Sequence, residues 1–333
     1  MVHTAAFGEI LLRFSPPGRQ LLLQTPALDV WVGGAEANVV TALARLGGQA
    51  SMISALPSNA LGDAALGELR RHGVDCRHVR RRPGRMGSYY VVSGAGLRTT
   101  DVLYDRDHSA FMDAPIDEWD WTMLLEGVDR LHLSGITPAL GPTSAQAAIA
   151  AARAAFDRGI PVSFDGNYRA RLWSRWDGDA RGILREIVAQ ASILFGNHRD
   201  IAMLLDREFD EGDATDAATD AAFEAFPRLA LVASTLRLED DVDRHRMRAI
   251  LTSRHQTVRT DDVALSGIVD RIGTGDAFAA GVLHAIDRDE PLATVAATGL
   301  SLSALKHSLP GDASLFDRGD LEHFLTGDLN VRR

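Results

Sequence analysis

The middle of this chain alternates short apolar runs with longer helix-forming ones, and that alternation leaves few folds open. Leu131-His132-Leu133-Ser134-Gly135 reads as a buried strand. Pro142-Thr143-Ser144 starts an alanine-rich helix that stops at Gly159, with proline at its beginning and glycine past its end. Ile160-Pro161-Val162-Ser163-Phe164-Asp165 is the next strand. A helix to Gln190, the strand Ser192-Ile193-Leu194-Phe195, another helix and Leu229-Ala230-Leu231-Val232 complete the series. Strands separated by one helix each need right-handed crossovers, which predict a parallel sheet covered on both faces. The strands finish in Ser134-Gly135, Asp165-Gly166-Asn167, Gly196-Asn197 and Ser234-Thr235. Ligands of open α/β sheets bind outside the carboxyl ends of the strands, so these polar ends predict one shared crevice.

A fifth unit brings chemistry to that crevice. An apolar run through Val263, Leu265, Ile268 and Val269 leads into Arg271-Ile272-Gly273-Thr274-Gly275-Asp276, and a small-residue helix follows. Two glycines leave backbone N–H groups free to point at one centre, and the helix N-terminus behind them adds positive field. A carboxylate there would repel a passively cradled phosphate. It suits an anion hole with a general base beside it, able to take a hydroxyl proton while the N–H groups hold a phosphoryl group in flight. The same residues also suit a tight strand–helix turn with an N-capping Asp, and the pattern alone leaves both readings open. Two common nucleotide loops are excluded. Lys306 is the only lysine, so no P-loop lysine exists, and no glycine stands three residues after Gly275 to complete a dinucleotide fingerprint.

At 333 residues the chain predicts one domain, 1–333, carrying a small attachment. Its net charge of −10, from 45 acidic and 35 basic side chains, argues against nucleic acid or an anionic membrane surface as a main partner. The single cysteine, Cys76, permits no internal disulfide and no cysteine-based metal site, and it reads as a packing residue in a reducing compartment. No apolar run approaches the ~18 residues of a membrane span. Met1 to Phe14 carries Glu9 and lacks the apolar stretch of a signal peptide, which predicts a cytoplasmic protein.

Two segments break the alternation. Residues 11–32 contain Leu21-Leu22-Leu23-Gln24 and Leu28-Asp29-Val30-Trp31-Val32; residues 87–110 contain Ser88-Tyr89-Tyr90-Val91-Val92 and Thr100-Asp101-Val102-Leu103-Tyr104. Both are strand-and-turn pairs without helices, which predicts a small antiparallel sheet closing over the crevice as a lid; a static extra sheet edge is the alternative. An exposed lid sheet also predicts a homodimer. The charged stretch from Arg237 to Asp262 reads as a solvated hairpin.

Gly33-Gly34-Ala35-Glu36-Ala37-Asn38 with Ala44-Arg45-Leu46-Gly47 resembles the N-terminal signature of the ribokinase-like (PfkB) carbohydrate kinases. Asp270 to Gly281 resembles the C-terminal one. The resemblance runs essentially end to end and implies a three-layer α/β/α fold with a mainly parallel central sheet and a small β-sheet lid. Within that family, the 2-keto-3-deoxygluconate kinases are the subgroup it resembles. Gly8 to Arg13, Leu131 to Leu140, Asn167-Tyr168-Arg169 with Leu172-Trp173, and Lys306 to Asp312 carry that likeness. It implies ATP-dependent phosphorylation, with Mg²⁺, of the C6 hydroxyl of a 2-keto-3-deoxy sugar acid.

By the same resemblance, Gly34 and Asn38 hold sugar hydroxyls, Tyr89, Tyr104 and Arg106 come from the lid, and Ile136 contacts the sugar through its backbone. Arg169 faces its carboxylate, and Asp312 joins the substrate site. Gly273, Thr274 and Gly275 form the anion hole with Asp276 as base. Asn197 and Asp200 order the Mg²⁺-bound phosphates through water, and Ser234 and Leu236 lie near the nucleotide. Two positions depart from the family pattern. Asp200 stands where the family has Glu, and Ala233-Ser234-Thr235-Leu236-Arg237 lacks the usual phosphate-loop glycine, which leaves Arg237 either a replacement phosphate ligand or a solvated side chain.

The residues themselves support the sugar acid. Guanidinium grips a carboxylate through two parallel hydrogen bonds, which a neutral sugar does not need. Arg106 and Arg169 sit where lid and crevice meet, and Arg13 follows the first strand. Any one arginine in so arginine-rich a chain reads equally as a solvated charge. Tyr89 and Tyr104 can cap a sugar or simply pack on the sheet. His132, mid-strand, reads as a buried and satisfied histidine. The competing functions are a kinase for another small alcohol, such as fructose, a dehydro-deoxy sugar or a nucleoside, and a non-catalytic sugar-binding protein on the same fold.

Overall fold

The alternation read from the sequence forms as expected. A computed structural model describes residues 1–209, 214–241 and 243–327. The first half holds β1 (His3–Phe7), β2 (Leu11–Ser15), β3 (Asp29–Gly33), α1 (Ala35–Arg45), β4 (Gln49–Pro57), α2 (Ala60–Arg71), β5 (Val79–Arg82), β6 (Ser88–Val92), β7 (Asp101–Asp105), α3 (Trp121–Leu124), β8 (Arg130–Ser134), α4 (Pro142–Asp157) and β9 (Val162–Asp165). There follow α5 (Ala170–Trp173), α6 (Ala180–Val188), β10 (Ala191–Phe195), α7 (His198–Leu205), α8 (Ala214–Ala225), β11 (Leu231–Asp241), β12 (Arg244–Ser253), β13 (Thr257–Arg259), β14 (Val263–Ser266), α9 (Thr274–Ile286), α10 (Leu292–Lys306) and α11 (Arg318–Leu325).

Among the described residues the large sheet runs β13-β12-β11-β10-β9-β8-β1-β4-β5, with β14 paired to β12. From β11 to β5 every pairing is parallel. Side chains alternate across this sheet, so each face has its own core. Phe7, Leu131, Leu133, Phe164 and Leu194 pack against α4, α6 and α7; Ala6, Met52, Ile193 and Phe195 pack against α1, α9 and α10. The alanines of α4 explain its close fit. Ala145, Ala148, Ala151, Ala152 and Ala155, with Ser144, form one buried stripe of small side chains at helical spacing. Gly159, at φ +69°, then turns the chain into β9.

The lid is a separate sheet in the order β3-β2-β6-β7. It differs from the expected antiparallel sheet because β2 and β6 pair in parallel. The reason lies in the body: β1 and β5 run the same way in the main sheet, and each leads on into a lid strand. Leu21 to Gln24 is no strand but a turn closed by the Gln24 N–H donating to the Leu21 carbonyl (3.1 Å) and the Leu21 N–H donating to Gln24 Oε1 (2.9 Å). The hairpin read as solvated is also corrected. β11 and β12 extend the main sheet, and Met247, Ala249 and Leu251 alternate into the core beside α10. The arginines between them in β12 hid this apolar face in the sequence. Residue 242, at the hairpin tip, lies outside the described residues.

Ile268 and Val269 fall beyond β14, in the loop that approaches α9 rather than in a strand. Cys76 is buried packing, as expected. His132 is buried with Nδ1 2.9 Å from Ser163 Oγ, but its Nε2 has no hydrogen-bond partner, so it is only half satisfied. Among the described residues no helix is long and apolar enough to cross a membrane.

Candidate active site

The C-terminal ends of the parallel strands, α9 and the lid enclose a cavity of about 450 Å³. Gly34, Asn38, Tyr89, Tyr104, Arg106, Ile136, Arg169, Asp312 and the whole run Gly273 to Asp276 line it. A second cavity of about 260 Å³ is lined by Asn197, Asp200, Ser234 and Thr235. Asp165, Asn167, Arg169 and Gly275 belong to the walls of both. Two compartments thus meet at a helix N-terminus, with Asp276 and Asp312 on one side of the junction, Asp200 on the other and Asp165 in the walls of both.

The turn at that junction can be built only from glycine. Gly273 caps α9 at φ +76°, and a Cβ there would lie 1.7 Å from the Asp312 carbonyl oxygen. Gly34 repeats the device at the start of α1, with φ +134° and a would-be Cβ 2.2 Å from the Glu9 carbonyl oxygen. Thr274 Oγ1 donates to the Arg271 carbonyl (3.0 Å), and Ser303 Oγ donates to the Thr274 carbonyl (2.9 Å), so the turn is tied at both ends. Asp276 is not the helix cap. It sits inside the first turn and accepts from Asn38 Nδ2 at 2.6 Å, which disposes of the N-capping alternative.

This architecture matches known proteins along its whole length. The family model described as pfkB family carbohydrate kinase matches residues 3–317. The chain belongs to the PfkB family of carbohydrate kinases. It is 33% identical over 321 residues to a 2-dehydro-3-deoxygalactonokinase of Haloferax volcanii, covering 96% of each chain. The solved 2-dehydro-3-deoxygluconokinase of Thermotoga maritima superposes with a TM-score of 0.92 at 33% identity, covering 98% of this chain and 100% of that one. A PfkB family carbohydrate kinase of Listeria grayi gives 0.91 at 32% identity, with 97% and 99% covered. The expected three-layer ribokinase-like fold with its lid is therefore the fold observed, and the protein is an ATP-dependent carbohydrate kinase.

In this PfkB kinase the buried acids repel one another. Burial, chiefly, pushes the Asp276 carboxyl up to about 7; Asn38 and Arg169 oppose the shift, while Asp312 and Glu36 add to it. Burial also lifts Asp165 to about 7, helped by the charges of Asp276 and Asp200. Glu36, buried against Thr137, is likewise raised by burial to about 7. A carboxyl near 7 is well matched to general-base work near neutrality. Repulsion among Asp165, Asp200 and Asp276 at the junction is the kind of field that a divalent cation relieves, so these residues fit Mg²⁺. Among the described residues no group of three or more His, Cys, Asp or Glu side chains is placed to hold a metal ion by itself.

Several expected site residues take other places. Arg13 does not line the cavity; it lies beneath the lid, 2% exposed, in ion pairs with Asp270 (2.6 Å) and Asp312 (3.2 Å). Burial of the two acids claimed it. Arg106 lines the cavity but is held from behind by Glu9, Nε to Oε2 at 2.7 Å. Leu236 points outward, 42% exposed, and lines neither compartment. Arg237 places Nη2 3.4 Å from Thr274 Oγ1 and lines a third cavity, between lid loop and hairpin. Asp200 accepts from the Asn197 N–H (2.8 Å) in a capping box on α7, so both face the second compartment from a helix start. Asp165 and Asn167, at a strand end read as lining the crevice, do line both compartments, though neither is assigned a role from the sequence; Glu36, buried behind the cavity wall, carried no such signal.

The sign of the pH dependence follows. With its carboxyl raised to about 7, a general-base role for Asp276 predicts turnover that rises with pH through neutrality. Acids raised by burial favour the folded state most when protonated, and that contribution is lost as pH climbs from the ordinary carboxylate range to about 7. Infrared difference spectra of the free enzyme are expected to show protonated carboxylic acid persisting to near pH 7. Asp276→Asn should remove part of that band, abolish the neutral step in the pH–rate profile and lower turnover by about 10²–10⁴-fold. Complete ionisation in the acid range, or a variant with near-native turnover, contradicts the assignment.

Proposed function

We propose that this kinase transfers the γ-phosphoryl group of ATP to the C6 hydroxyl of 2-keto-3-deoxygluconate or its galactonate epimer. The six-carbon acid occupies the larger cavity and the triphosphate the smaller. Asp276 takes the proton of the primary hydroxyl, the freed oxygen attacks the γ-phosphorus, and ADP leaves with the electrons of the broken P–O bond. Backbone N–H groups of Gly273 to Gly275 and the positive end of α9 receive the charge on the phosphoryl oxygens in flight. Asp200 and Asp165 would hold Mg²⁺ through water, where it would offset the charge of the phosphates. Asn38 orients the Asp276 carboxylate through its 2.6 Å bond and so fixes the oxygen that meets the hydroxyl.

One observation carries the acid substrate. Arg169 is exposed, lines the cavity, and among the described residues has no carboxylate within 4 Å, although its charge acts at longer range on Asp165, Asp200 and Asp276; its hydrogen bond is a long one, 3.4 Å, to the Tyr168 carbonyl. A guanidinium held at a cavity wall without a carboxylate partner supplies what a sugar acid brings. The relatives named for 2-dehydro-3-deoxy acids support the same substrate class. Arg169→Ala is expected to weaken use of the acid sugar by roughly ten- to a hundredfold, the worth of a charged hydrogen bond, while a neutral ketose such as fructose is little affected. Equal losses for both would assign Arg169 to the phosphates instead, since it also borders the second compartment.

The reading extends to assembly. Arg13 and Tyr89 turn inward from paired positions of the lid, so their neighbours Phe14 and Tyr90, stacked at 5.4 Å, belong to its outer face. Val30 and Leu103 are more than half exposed on flanking strands. An apolar sheet face of this kind fits a second copy of the chain. Light scattering is expected to give twice the 36.0 kDa chain mass; a monomer at micromolar concentration would contradict the assignment.

A further inference from the structure

Arg13 carries the only charge of β2, and that charge is directed away from the sugar. Its Nη1 donates to Asp270 Oδ2 at 2.6 Å and to Asp312 Oδ1 at 3.2 Å, and Nε donates to Ser15 Oγ at 3.0 Å. The Trp31 ring covers the guanidinium at 5.0 Å. Each acid reaches further. Asp270 also accepts from the Ile272 N–H (3.0 Å), one residue before Gly273, and from the Gly311 N–H (3.1 Å). Asp312 also accepts from the Tyr89 hydroxyl, and its backbone oxygen fills the space that a Gly273 Cβ would need. Lys306, the only lysine of the chain, is fully buried nearby; it donates to the Leu309 carbonyl (2.9 Å), and Asp270 and Asp312 are the acids that act on it most strongly. Arg13 thus bridges the two carboxylates directly, and Lys306 acts on them only at longer range.

The cluster joins three parts of the molecule. Arg13 and Tyr89 are paired residues of the lid; Asp270 belongs to the approach to the anion hole; Asp312 belongs to the C-terminal loop that roofs Gly273. We propose that Arg13 is a positioning residue for phosphoryl transfer, because its bridge to Asp270 and Asp312 makes the geometry of the Gly273–Gly275 turn depend on the seated lid. Without the guanidinium, two acids remain buried beside each other with only Lys306 to offset them. Uncompensated buried charge is strongly destabilising, and the relief open outside the sugar cavity is to swing Asp270 away, which carries Ile272 and Gly273 with it. Tyr89 and Asp312 line the sugar cavity while Arg13 and Asp270 do not, so a displaced Asp270 disturbs the turn and leaves the sugar wall in place. The defect therefore belongs in the chemical step rather than in sugar binding.

The inference rests on the anion-hole role of Gly273 to Gly275 but not on which acid is the substrate, so any sugar that the native enzyme turns over serves. Arg13→Gln, Arg13→Lys, Asp270→Asn and the double variant Arg13→Gln/Asp270→Asn are compared below their melting temperatures, with both substrates saturating. Misplacement of a reacting group by an ångström costs about a hundredfold, so kcat of Arg13→Gln is expected to fall about ten- to a hundredfold while KM for the sugar stays within about threefold. Arg13→Lys, which restores the charge on a different head group, should recover part of kcat. The double variant, which removes both partners, should lose no more than the worse single variant, because contacting residues are not additive. If Arg13→Gln fails to fold, the same split between kcat and KM is read from Arg13→Lys against the native enzyme. A near-native kcat in folded variants, whatever their melting temperature, would make Arg13 purely structural. A loss confined to KM, or strictly additive losses in the double variant, would equally overturn the proposal.

Discussion

The reactive geometry depends on one close approach, that of the Gly273 backbone to the carbonyl oxygen of Asp312. A Cβ on residue 273 would stand 1.7 Å from that oxygen, so only glycine, here at φ +76°, lets the two loops meet. Through this contact the start of α9 is pressed against the C-terminal loop, and Asp276 comes within 2.6 Å of Asn38 on α1. Parallel strands then deliver Asp165, Asn197 and Ser234 to the same edge. Backbone sterics at one position thus convert a generic α/β crevice into a site where a helix N-terminus and several buried acids converge.

Electrostatics is the counterpart of that convergence. Asp165, Glu36 and Asp276 are each held near 7 by burial and by one another. Below the lid the opposite solution is used, with Arg13 and Lys306 matched to Asp270 and Asp312. The difference has a functional logic. Beneath the lid the acids are offset by a bonded guanidinium, whereas at the junction only the longer-range charge of Arg169 opposes them, and a cation there would relieve their repulsion.

Most of the scaffold was legible in the sequence because its signals are local. The buried runs at 131–134, 162–165 and 191–195, the Pro142 start of α4 and the glycine turn at 273–275 each follow from a few adjacent residues. What escaped depends on partners far along the chain. The sequence shows Arg13 and Arg106 only as arginines near the crevice; that Asp270 and Asp312 bury the first, and Glu9 braces the second, is set by contacts nearly a hundred residues away or more. The hairpin of β11 and β12 was misread for a related reason. Its apolar residues alternate with arginines, and a half-buried edge looks solvated until α10 is placed against it. Asp165 stood in plain view at a strand end, but its closeness to Asp276 emerges only when two strand–helix units share an edge.

The central claim is that a cavity with a general base at Asp276 and an unpaired guanidinium at Arg169 selects a sugar acid. Its most direct test is kcat/KM of the native enzyme, by ADP production with ATP saturating, for 2-keto-3-deoxygluconate and 2-keto-3-deoxygalactonate against fructose and other uncharged hexoses. The acids are expected to be preferred by at least about ten- to a hundredfold, the worth of one charged hydrogen bond to the carboxylate. An uncharged hexose used as well as either acid would contradict it.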